Sequence, residues 1–131
     1  MDHKDYKGYT IVIQHHENVF KSKSLTERIL GRLYGPPTEK IFKQDNITIY
    51  KKTAIIYNHK RFGNGYIDTG KRQVRTIYFA DIENKTGIEV YIKYAAGHKV
   101  SSDVEQMMKK VLCEEIYKTC GIKLTKQDNN N

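Results

Sequence analysis

The sequence feature that most constrains the fold is the alternation of apolar and polar side chains in "GKRQVRTIYFADIENKTGIEVYIKYAAGHK", residues 70–99. Alternation with a period of two is typical of β-strands, and we expect one strand over residues 74–83 and a second over residues 88–94. The segment "NKTG", residues 84–87, supplies turn residues between them, and we expect Gly87 to take the positive φ that such a turn requires. These residues therefore predict an antiparallel β-hairpin.

The first strand of this hairpin carries apolar residues on both faces. One face is predicted to present Val74, Thr76, Tyr78, Ala80 and Ile82, and the other Arg75, Ile77, Phe79, Asp81 and Glu83. Because neither set is purely polar, we expect the strand to be central in its sheet. One face would then lie under the helices, and the other would be partly covered or would line a concave surface.

Two helices are predicted from their ends. Residues 24–27, "SLTE", form a capping-box pattern, and an apolar repeat every four residues then predicts a helix over 25–34, which "GPP" would terminate. A second capping box is predicted at 102–105, followed by an apolar stripe and by Gly121 as the terminating residue.

Shorter β-branched and aromatic runs complete the predicted elements. They cover residues 9–14, 47–50 and 54–57, with residues 51–53 connecting the last two as a hairpin. The fold class is therefore α+β, with a mainly antiparallel sheet of four to five strands and two helices in the order β-α-β-β-β-β-α. We expect a single domain over residues 1–125 and a disordered polar tail, "KQDNNN", over 126–131.

The overall charge indicates the class of partner. The chain of 131 residues carries 23 Lys and Arg against 15 Asp and Glu, a formal net charge of +8. A field of this sign attracts polyanions, although surplus lysine also serves only to keep a small protein soluble. Apolar runs are too short for a membrane span, and the N-terminus lacks the apolar core of a signal peptide. We therefore expect a cytoplasmic protein with no membrane partner.

Metal and disulfide chemistry are not favoured by the spacing of the candidate ligands. Cys113 and Cys120 lie two turns apart on the predicted second helix, about 10 Å from each other, which is too far for a disulfide. We expect both to be small buried apolar residues. His15 and His16 would point to opposite faces of a strand and so could not bind one metal ion together. No metal and no cofactor are predicted.

Two further patterns have simpler interpretations than a functional site. The glycines of "RFGNGYIDTGKR", residues 61–72, lack the spacing of a phosphate-binding P-loop, which favours a flexible loop between strands. Asp68, Glu83 and Lys85 imitate the signature of a PD-(D/E)xK metal nuclease. Glu83 and Lys85 fall at the predicted turn rather than on one regular strand, which argues against a shared magnesium site.

Basic and aromatic residues are concentrated between residues 40 and 75, where nine Lys and Arg face two Asp, a net charge of +7. Bases can stack on aromatic rings while neighbouring cations neutralise phosphates, so this composition suits contact with nucleic acid, RNA more than DNA. The residues of this region predicted to make that contact are Lys51, Lys52, Lys60, Arg61 and Arg72. The alternative is that the aromatic residues are half-buried in strands and the lysines are their solvated neighbours.

The hairpin also resembles the C-terminal core of the RelE/ParE superfamily of toxin ribonucleases, and its HigB-like members in particular. The matching positions are Gly70, Lys71, Arg75 and Tyr78 in the first strand, Val90 to Tyr94 in the second, and then His98. The chain departs from the family in residues 38–60, which are predicted to be strands where the family has a helix, and in the helix predicted after His98.

The resemblance implies metal-free cleavage of messenger RNA at the ribosome and an antitoxin that covers the basic site. The catalytic residues would be His98 or Tyr94 for proton transfer, and Arg75 and Lys71 for stabilising charge on the phosphoryl oxygens. Lys99 would anchor the RNA backbone. A simpler interpretation pairs Arg75 with Asp81 or Glu89 across the sheet and leaves His98 in a surface turn. The functional hypotheses are therefore a small RNA-directed protein, in its enzymatic form an endoribonuclease toxin, or a non-enzymatic nucleic-acid- or nucleoprotein-binding module of a virus or mobile element.

Overall fold

The computed structural model describes residues 2–20, 22–93 and 100–125, with the backbone alone for 57–62 and 66–73. The polar tail, residues 126–131, lies outside the described residues. The strands are β1 (Asp2–Tyr6), β2 (Tyr9–Glu17), β3 (Glu39–Gln44), β4 (Ile47–Phe62), β5 (Gly65–Ile82) and β6 (Thr86–Lys93). The helices are α1 (Leu25–Ile29) and α2 (Ser102–Cys120).

All six strands form one antiparallel sheet in the order β1-β2-β6-β5-β4-β3. The strands β3 to β6 form a meander in which each strand pairs with the next one along the chain. The hairpin β1–β2 joins this meander through β2, which pairs with β6. The segment that contains α1 therefore crosses the sheet, from β2 to β3 at the opposite edge.

The predicted α+β class and antiparallel sheet are confirmed, but the number and bounds of the strands differ. The strands β1 and β3 were not predicted. Residues 51–53 do not form a turn, and the two short strands predicted on either side of them are one continuous strand, β4. This segment, "KKT", has no glycine, proline or asparagine to reverse the chain, and each of its residues pairs with β5. Residues 61–72 likewise belong to paired strands and their turn rather than to a flexible loop.

The hairpin β5–β6 is confirmed, although its turn uses other residues than predicted. Glu83 and Asn84 take the positive φ angles, 54° and 57°. Gly87 instead pairs with Asp81 inside the sheet. A Cβ at Gly87 would lie 2.4 Å from Cζ of the Phe79 ring, so glycine is required there for close packing rather than for the turn.

The predicted assignment of β5 side chains to the two faces of the sheet is confirmed. Each face is covered in part by a helix. On the face that we call the α2 face, the core contains Tyr78 and Ala80 together with the apolar stripe of α2. On the opposite face, the α1 face, a smaller core joins Ile77 and Phe79 to Leu25. The prediction that the helices share one face is therefore wrong.

The predicted ends of the two helices are confirmed in part. Ser24 Oγ accepts a hydrogen bond from the Glu27 amide, as predicted, but α1 ends at Ile29, five residues before the predicted end. The N-cap of α2 is Ser101, which makes no side-chain capping bond, because its hydroxyl donates to Asp103 Oδ1 at 2.6 Å. Gly121 ends α2 in the left-handed conformation, as predicted.

The two cysteines of α2 are both free, and both are exposed rather than buried as predicted. Their positions on α2 lie outside its buried stripe, which is formed by Val104, Met108, Val111, Leu112 and Ile116, with Glu115 beside it. No helix among the described residues is long and apolar enough to cross a membrane.

Candidate nucleic-acid interface

The strands β4 and β5 extend beyond the rest of the sheet as a two-stranded ribbon. The last pair between β3 and β4 on this side is Glu39 with Lys51, and the last pair between β6 and β5 is Tyr91 with Ile77. From Thr53 onward, the ladders of the described residues pair β4 with β5 only, as far as Phe62 with Gly65. We call residues 53–76 the arm; it is about 30 Å long at the usual rise per residue.

The arm reverses in a two-residue turn at its tip, between Phe62 and Gly65. Gly63 has a φ of 59°, which suits glycine at the first central position of a type II′ hairpin turn. At the base, the Ile55 amide donates a hydrogen bond of 2.8 Å to the Tyr34 carbonyl. The chain that follows α1 therefore supports the base of the arm along β4.

The sequence of the arm is strongly basic. It contains Lys60, Arg61, Lys71, Arg72 and Arg75 against Asp68 alone, a net charge of +4. The backbone register places Arg72 opposite Tyr57, Lys60 opposite Ile67 and Arg61 opposite Tyr66. Lys71 lies where the register shifts, between the pairs formed by Tyr57 and His59. Four of the predicted site residues, Lys60, Arg61, Lys71 and Arg72, are therefore brought together on one hairpin.

Lys51 and Lys52, both predicted to contact nucleic acid, lie on opposite faces of β4. Lys52 is 5% exposed, and its Nζ donates a hydrogen bond of 2.7 Å to the Pro36 carbonyl. Lys51 is on the α2 face, where its Nζ is 3.5 Å from Glu105 Oε2. Lys52 therefore holds the chain after α1 against the sheet, and we leave it out of the interface.

The surroundings of Lys51 form a compact polar cluster above the buried ring of Tyr78. The hydroxyl of Tyr78 donates to Glu105 Oε2 at 2.8 Å, and the ammonium groups of Lys51 and Lys109 lie 5.9 and 5.7 Å from the ring centroid. Burial, followed by the hydrogen bond and charge of Glu105, raises the pKa of Tyr78 well above its usual range. This tyrosine therefore stays protonated and serves as a structural donor rather than as a base.

Arg75 lies at the base of the arm, on the α1 face. Its guanidinium is 4.7 Å from the centroid of the Tyr91 ring, a cation–π contact. Within the described part of the chain, Arg75 Nε is buried without a hydrogen-bond partner. A buried donor of this kind is rare in native proteins and calls for an acceptor.

The pairing of Arg75 with a carboxylate across the sheet, one of the interpretations of the sequence, is not found. Asp81 accepts hydrogen bonds from the Thr26 hydroxyl at 2.6 Å and from the Asn84 amide at 2.8 Å. Glu89 lies 2.8 Å from Nε2 of His16. Both carboxylates are therefore engaged elsewhere, and no carboxylate of the described residues forms an ion pair with Arg75.

A cavity of about 520 Å³ opens beside Arg75 on the α1 face, where β1, β2, β5 and β6 lie side by side. We call it the Arg75 cavity. Its polar lining comes from Asp2, His3, Asp5, Thr10 and Lys93 in addition to Arg75. Sequence reasoning missed the residues of β1, although "YKGYT" contains the signal of a tight hairpin: Lys7 and Gly8 have φ angles of 47° and 84°.

A second cavity, of about 290 Å³, lies between α2 and the strands β3 and β4, on the α2 face. Its lining is mainly apolar and includes Phe42, Ile49 and Leu112, with Lys109 and Cys113 among the remaining residues. Burial and the nearby charge of Glu114 raise the pKa of the Cys113 thiol. The cavity therefore combines apolar side chains with two lysines, Lys109 and Lys110.

The remaining predicted site residues and ligands are placed as follows. Tyr94, His98 and Lys99 lie outside the described residues. His15 and His16 point to opposite faces, as predicted: His15 contacts Glu115 at 2.7 Å, and His16 lies on the α1 face near Phe79. Across residues 2–20, 22–93 and 100–125, no group of three or more His, Cys, Asp and Glu could hold a metal ion.

Comparison with known proteins identifies no relative. No protein-family model, no curated protein and no solved structure matches this chain.

Proposed function

We propose that this protein is a small RNA-directed protein that binds single-stranded RNA through the arm. The observation that carries the proposal is the extension of β4 and β5 beyond the sheet in the segment where the sequence has a net charge of +4. Backbone pairing brings Lys60, Arg61, Lys71 and Arg72 onto one hairpin, and a concentration of cations on one element suits contact with the phosphates of a nucleic-acid backbone.

The aromatic residues of the arm favour a single strand over a duplex. The sequence of the arm includes Tyr57, Phe62 and Tyr66 among its basic residues. Unpaired bases can stack on aromatic rings, and each stacked base contributes about 1–3 kcal/mol. Bases within a duplex are already stacked and do not offer this contact, so single-stranded RNA is the ligand that this composition suits best.

The enzymatic form of the proposal is a metal-free endoribonuclease toxin with Arg75, Lys71, Tyr94 and His98 as its catalytic residues. Support for it comes from Arg75, a cation at the base of the arm that lines a cavity of about 520 Å³. Its partner would be an antitoxin or another acidic protein that covers the arm. The non-enzymatic form is a binding module of a virus or mobile element, which binds nucleic acid or the ribosome without turnover.

Two variants with the same change in net charge test whether RNA binds through the arm. In the arm variant, Lys60, Arg61, Lys71 and Arg72 are all replaced by Gln. In the control variant, four exposed lysines outside the arm are replaced by Gln: Lys40, Lys43, Lys118 and Lys123. Both variants have a formal net charge of +4 instead of +8, so a difference between them reports the position of the charges.

Binding of a labelled single-stranded RNA is measured by fluorescence anisotropy at several salt concentrations. Four phosphate contacts correspond to a slope of about −3 in log K against log salt, so affinity falls about 50-fold from 50 to 200 mM salt. The arm variant should lose most of this slope, and the control variant should keep it. Equal losses in both variants would contradict binding through the arm. Gel analysis of the same RNA reports cleavage, which Arg75→Ala should abolish if the enzymatic form is correct.

A further inference from the structure

The cavity of about 290 Å³ on the α2 face, which we call the Lys109 cavity, is apolar inside and has a wall held by hydrogen bonds. Its apolar lining residues are Ile41, Phe42, Ile49, Leu112 and Leu124. The amide and the hydroxyl of Thr125 both donate to Gln44 Oε1, each at 2.9 Å. These bonds fasten the segment after α2 to the end of β3, so this wall of the cavity is preformed.

The charge of the lining is positive. Among the described residues, the charged side chains that line the cavity are those of Lys109 and Lys110. Neither lysine forms an ion pair with a carboxylate in the described part of the chain. The nearby Glu105 already accepts a hydrogen bond from the Tyr78 hydroxyl and lies 3.5 Å from Nζ of Lys51. Two cations without a counter-charge in the lining favour an anionic ligand.

The apolar lining and the two lysines together specify an amphipathic anion. A lysine side chain can lie along apolar surface with its methylene groups while its ammonium group stays at the water-exposed rim. A carboxylate at the rim would meet the ammonium groups, and an alkyl chain attached to it would be removed from water. Each buried methylene raises the affinity up to about 4-fold. A nucleotide would instead place polar groups against apolar side chains without hydrogen-bond partners.

The volume of the cavity sets the length of the chain. At about 30 Å³ for each non-hydrogen atom, the volume of a molecule in liquid water, about 290 Å³ holds roughly ten such atoms. Octanoate has this number, eight carbons and two oxygens. A medium-chain acid therefore fills the cavity, whereas butanoate would leave much of the apolar lining without contacts.

We propose that the Lys109 cavity binds a medium-chain fatty acid, with its carboxylate at Lys109 and Lys110 and its alkyl chain against the apolar lining. This binding goes beyond the proposed contact with RNA and does not depend on it. The cavity is bounded by α2, β3 and the part of β4 around Ile49, whereas the arm begins at Thr53.

The test is calorimetric titration of the full chain with octanoate, butanoate and octylammonium. Octanoate should bind with a Kd below about 1 mM. Butanoate should bind at least about 10-fold more weakly because it buries fewer methylenes. Octylammonium should also bind at least about 10-fold more weakly, because its cation is repelled by the two lysines. The absence of octanoate binding at millimolar concentration, or equal binding of octylammonium, would overturn the proposal.

Two double variants with the same change in net charge test the two lysines. In the cavity variant, Lys109 and Lys110 are replaced by Gln. In the control variant, Lys43 and Lys118 are replaced by Gln, since both are exposed and neither lines the cavity. The cavity variant should bind octanoate about 5- to 30-fold more weakly than the wild type, the loss expected for two partly exposed ion pairs. Equal affinities in the two folded variants would overturn the proposal.

Cys113 reports binding in the chain with both lysines intact. It lines the cavity, whereas Cys120 does not, and both thiols are free. Labelling is carried out at alkaline pH, because the thiolate is the reactive form and burial raises the pKa of Cys113. Saturating octanoate should slow labelling of Cys113 by N-ethylmaleimide at least about 5-fold and leave labelling of Cys120 unchanged, as measured by mass spectrometry of the peptides. Unchanged labelling of Cys113, or equal slowing of both thiols, would contradict binding in this cavity.

The labelled chain provides a further check on the site. In a Cys120→Ser background, modification of Cys113 should abolish octanoate binding, because the added group occupies the cavity. Full binding by the modified chain would overturn the proposal. Light scattering identifies the other occupant of an apolar cavity, a second copy of this chain. A dimer that protects Cys113 in a chain that does not bind octanoate would assign the cavity to that copy and overturn the proposal.

Discussion

Replacing Gly87 by alanine tests whether this residue is required for packing or for the turn. Gly87 lies in β6, opposite Asp81, on the α1 face of the sheet. A Cβ added to it would lie 2.4 Å from Cζ and 2.8 Å from Cε1 of Phe79, and 3.1 Å from Cδ2 of Leu25. Phe79 and Leu25 are both completely buried, so neither can move away into solvent.

The cost of Gly87→Ala follows from this overpacking. Inserting a methyl group into a well-packed core costs about 1–3 kcal/mol. Alanine also lowers the conformational entropy of the unfolded chain, which offsets about 0.4–1 kcal/mol of this destabilisation. We expect a net loss of about 1–2 kcal/mol in the free energy of unfolding. For a chain of this size, that loss lowers the Tm by about 3–8 °C.

Thermal and urea unfolding followed by circular dichroism measures the loss. Gly87→Asn is the discriminating variant, because asparagine tolerates a positive φ but is larger than alanine. Steric packing predicts that Gly87→Asn is worse than Gly87→Ala, whereas a role in the turn predicts that it is better. Gly8→Ala serves as a comparison, since Gly8 has a φ of 84° and no atom within 4 Å of an added Cβ.

Repeating the Gly87→Ala substitution in a Phe79→Leu variant isolates the contact between residue 87 and Phe79. In Phe79→Leu the ring is absent, so the cost of Gly87→Ala should fall by at least about 0.5 kcal/mol, the size of a coupling between residues in contact. An unchanged cost in this background, or a Gly87→Asn variant as stable as the wild type, would refute the steric explanation.

Three further predictions concern the turn, the buried lysine and the pH dependence. Asn84→Gly keeps the positive φ but loses the side-chain bonds to Leu25 and to the Lys23 carbonyl, and should lower the free energy of unfolding by about 1–2 kcal/mol in urea titrations. Lys52→Met keeps the volume but leaves the Pro36 carbonyl without its donor; it should cost about 1–3 kcal/mol by the same measurement, and an unchanged stability would contradict that role. The hydrogen bond and charge of Lys7 lower the pKa of Asp103 from 3.8 to about 2. The stabilisation that this exposed ion pair contributes should therefore be complete above about pH 4 and should be lost as the pH falls to about 2. The difference in Tm between the wild type and Lys7→Gln should disappear over the same pH range.

The sequence predicted the candidate site only in part. Alternation along β5 correctly placed Arg75 on the face of Ile77 and Phe79, because strand parity depends on local backbone geometry. It did not reveal that Asp81 and Glu89 are already engaged, since their partners Thr26 and His16 are distant in the sequence. The residues of β1 were missed for the same reason, because their proximity to Arg75 depends on the pairing of β2 with β6.

Lys51 and Lys52 were misinterpreted because residues 51–53 were predicted to connect two strands, whereas they lie within β4. As neighbours in a predicted hairpin connection, both were predicted to contact nucleic acid. In a continuous strand they must alternate, so that Lys52 is buried against Pro36 and Lys51 contacts Glu105 on the other face. Identical residue types therefore have different surroundings, which composition cannot distinguish.

The sequence by itself determined the features that depend on neighbouring residues: the alternation of β5 and β6, the Ser24 cap, the Gly121 end of α2 and the net positive charge. The tertiary structure decided which strands are adjacent, that the two helices cover opposite faces, and that β4 and β5 extend beyond the sheet as an arm. Local patterns specify which face a side chain points to. The partner on that face is chosen by contacts between residues far apart in the chain, which depend on the packing of the whole sheet.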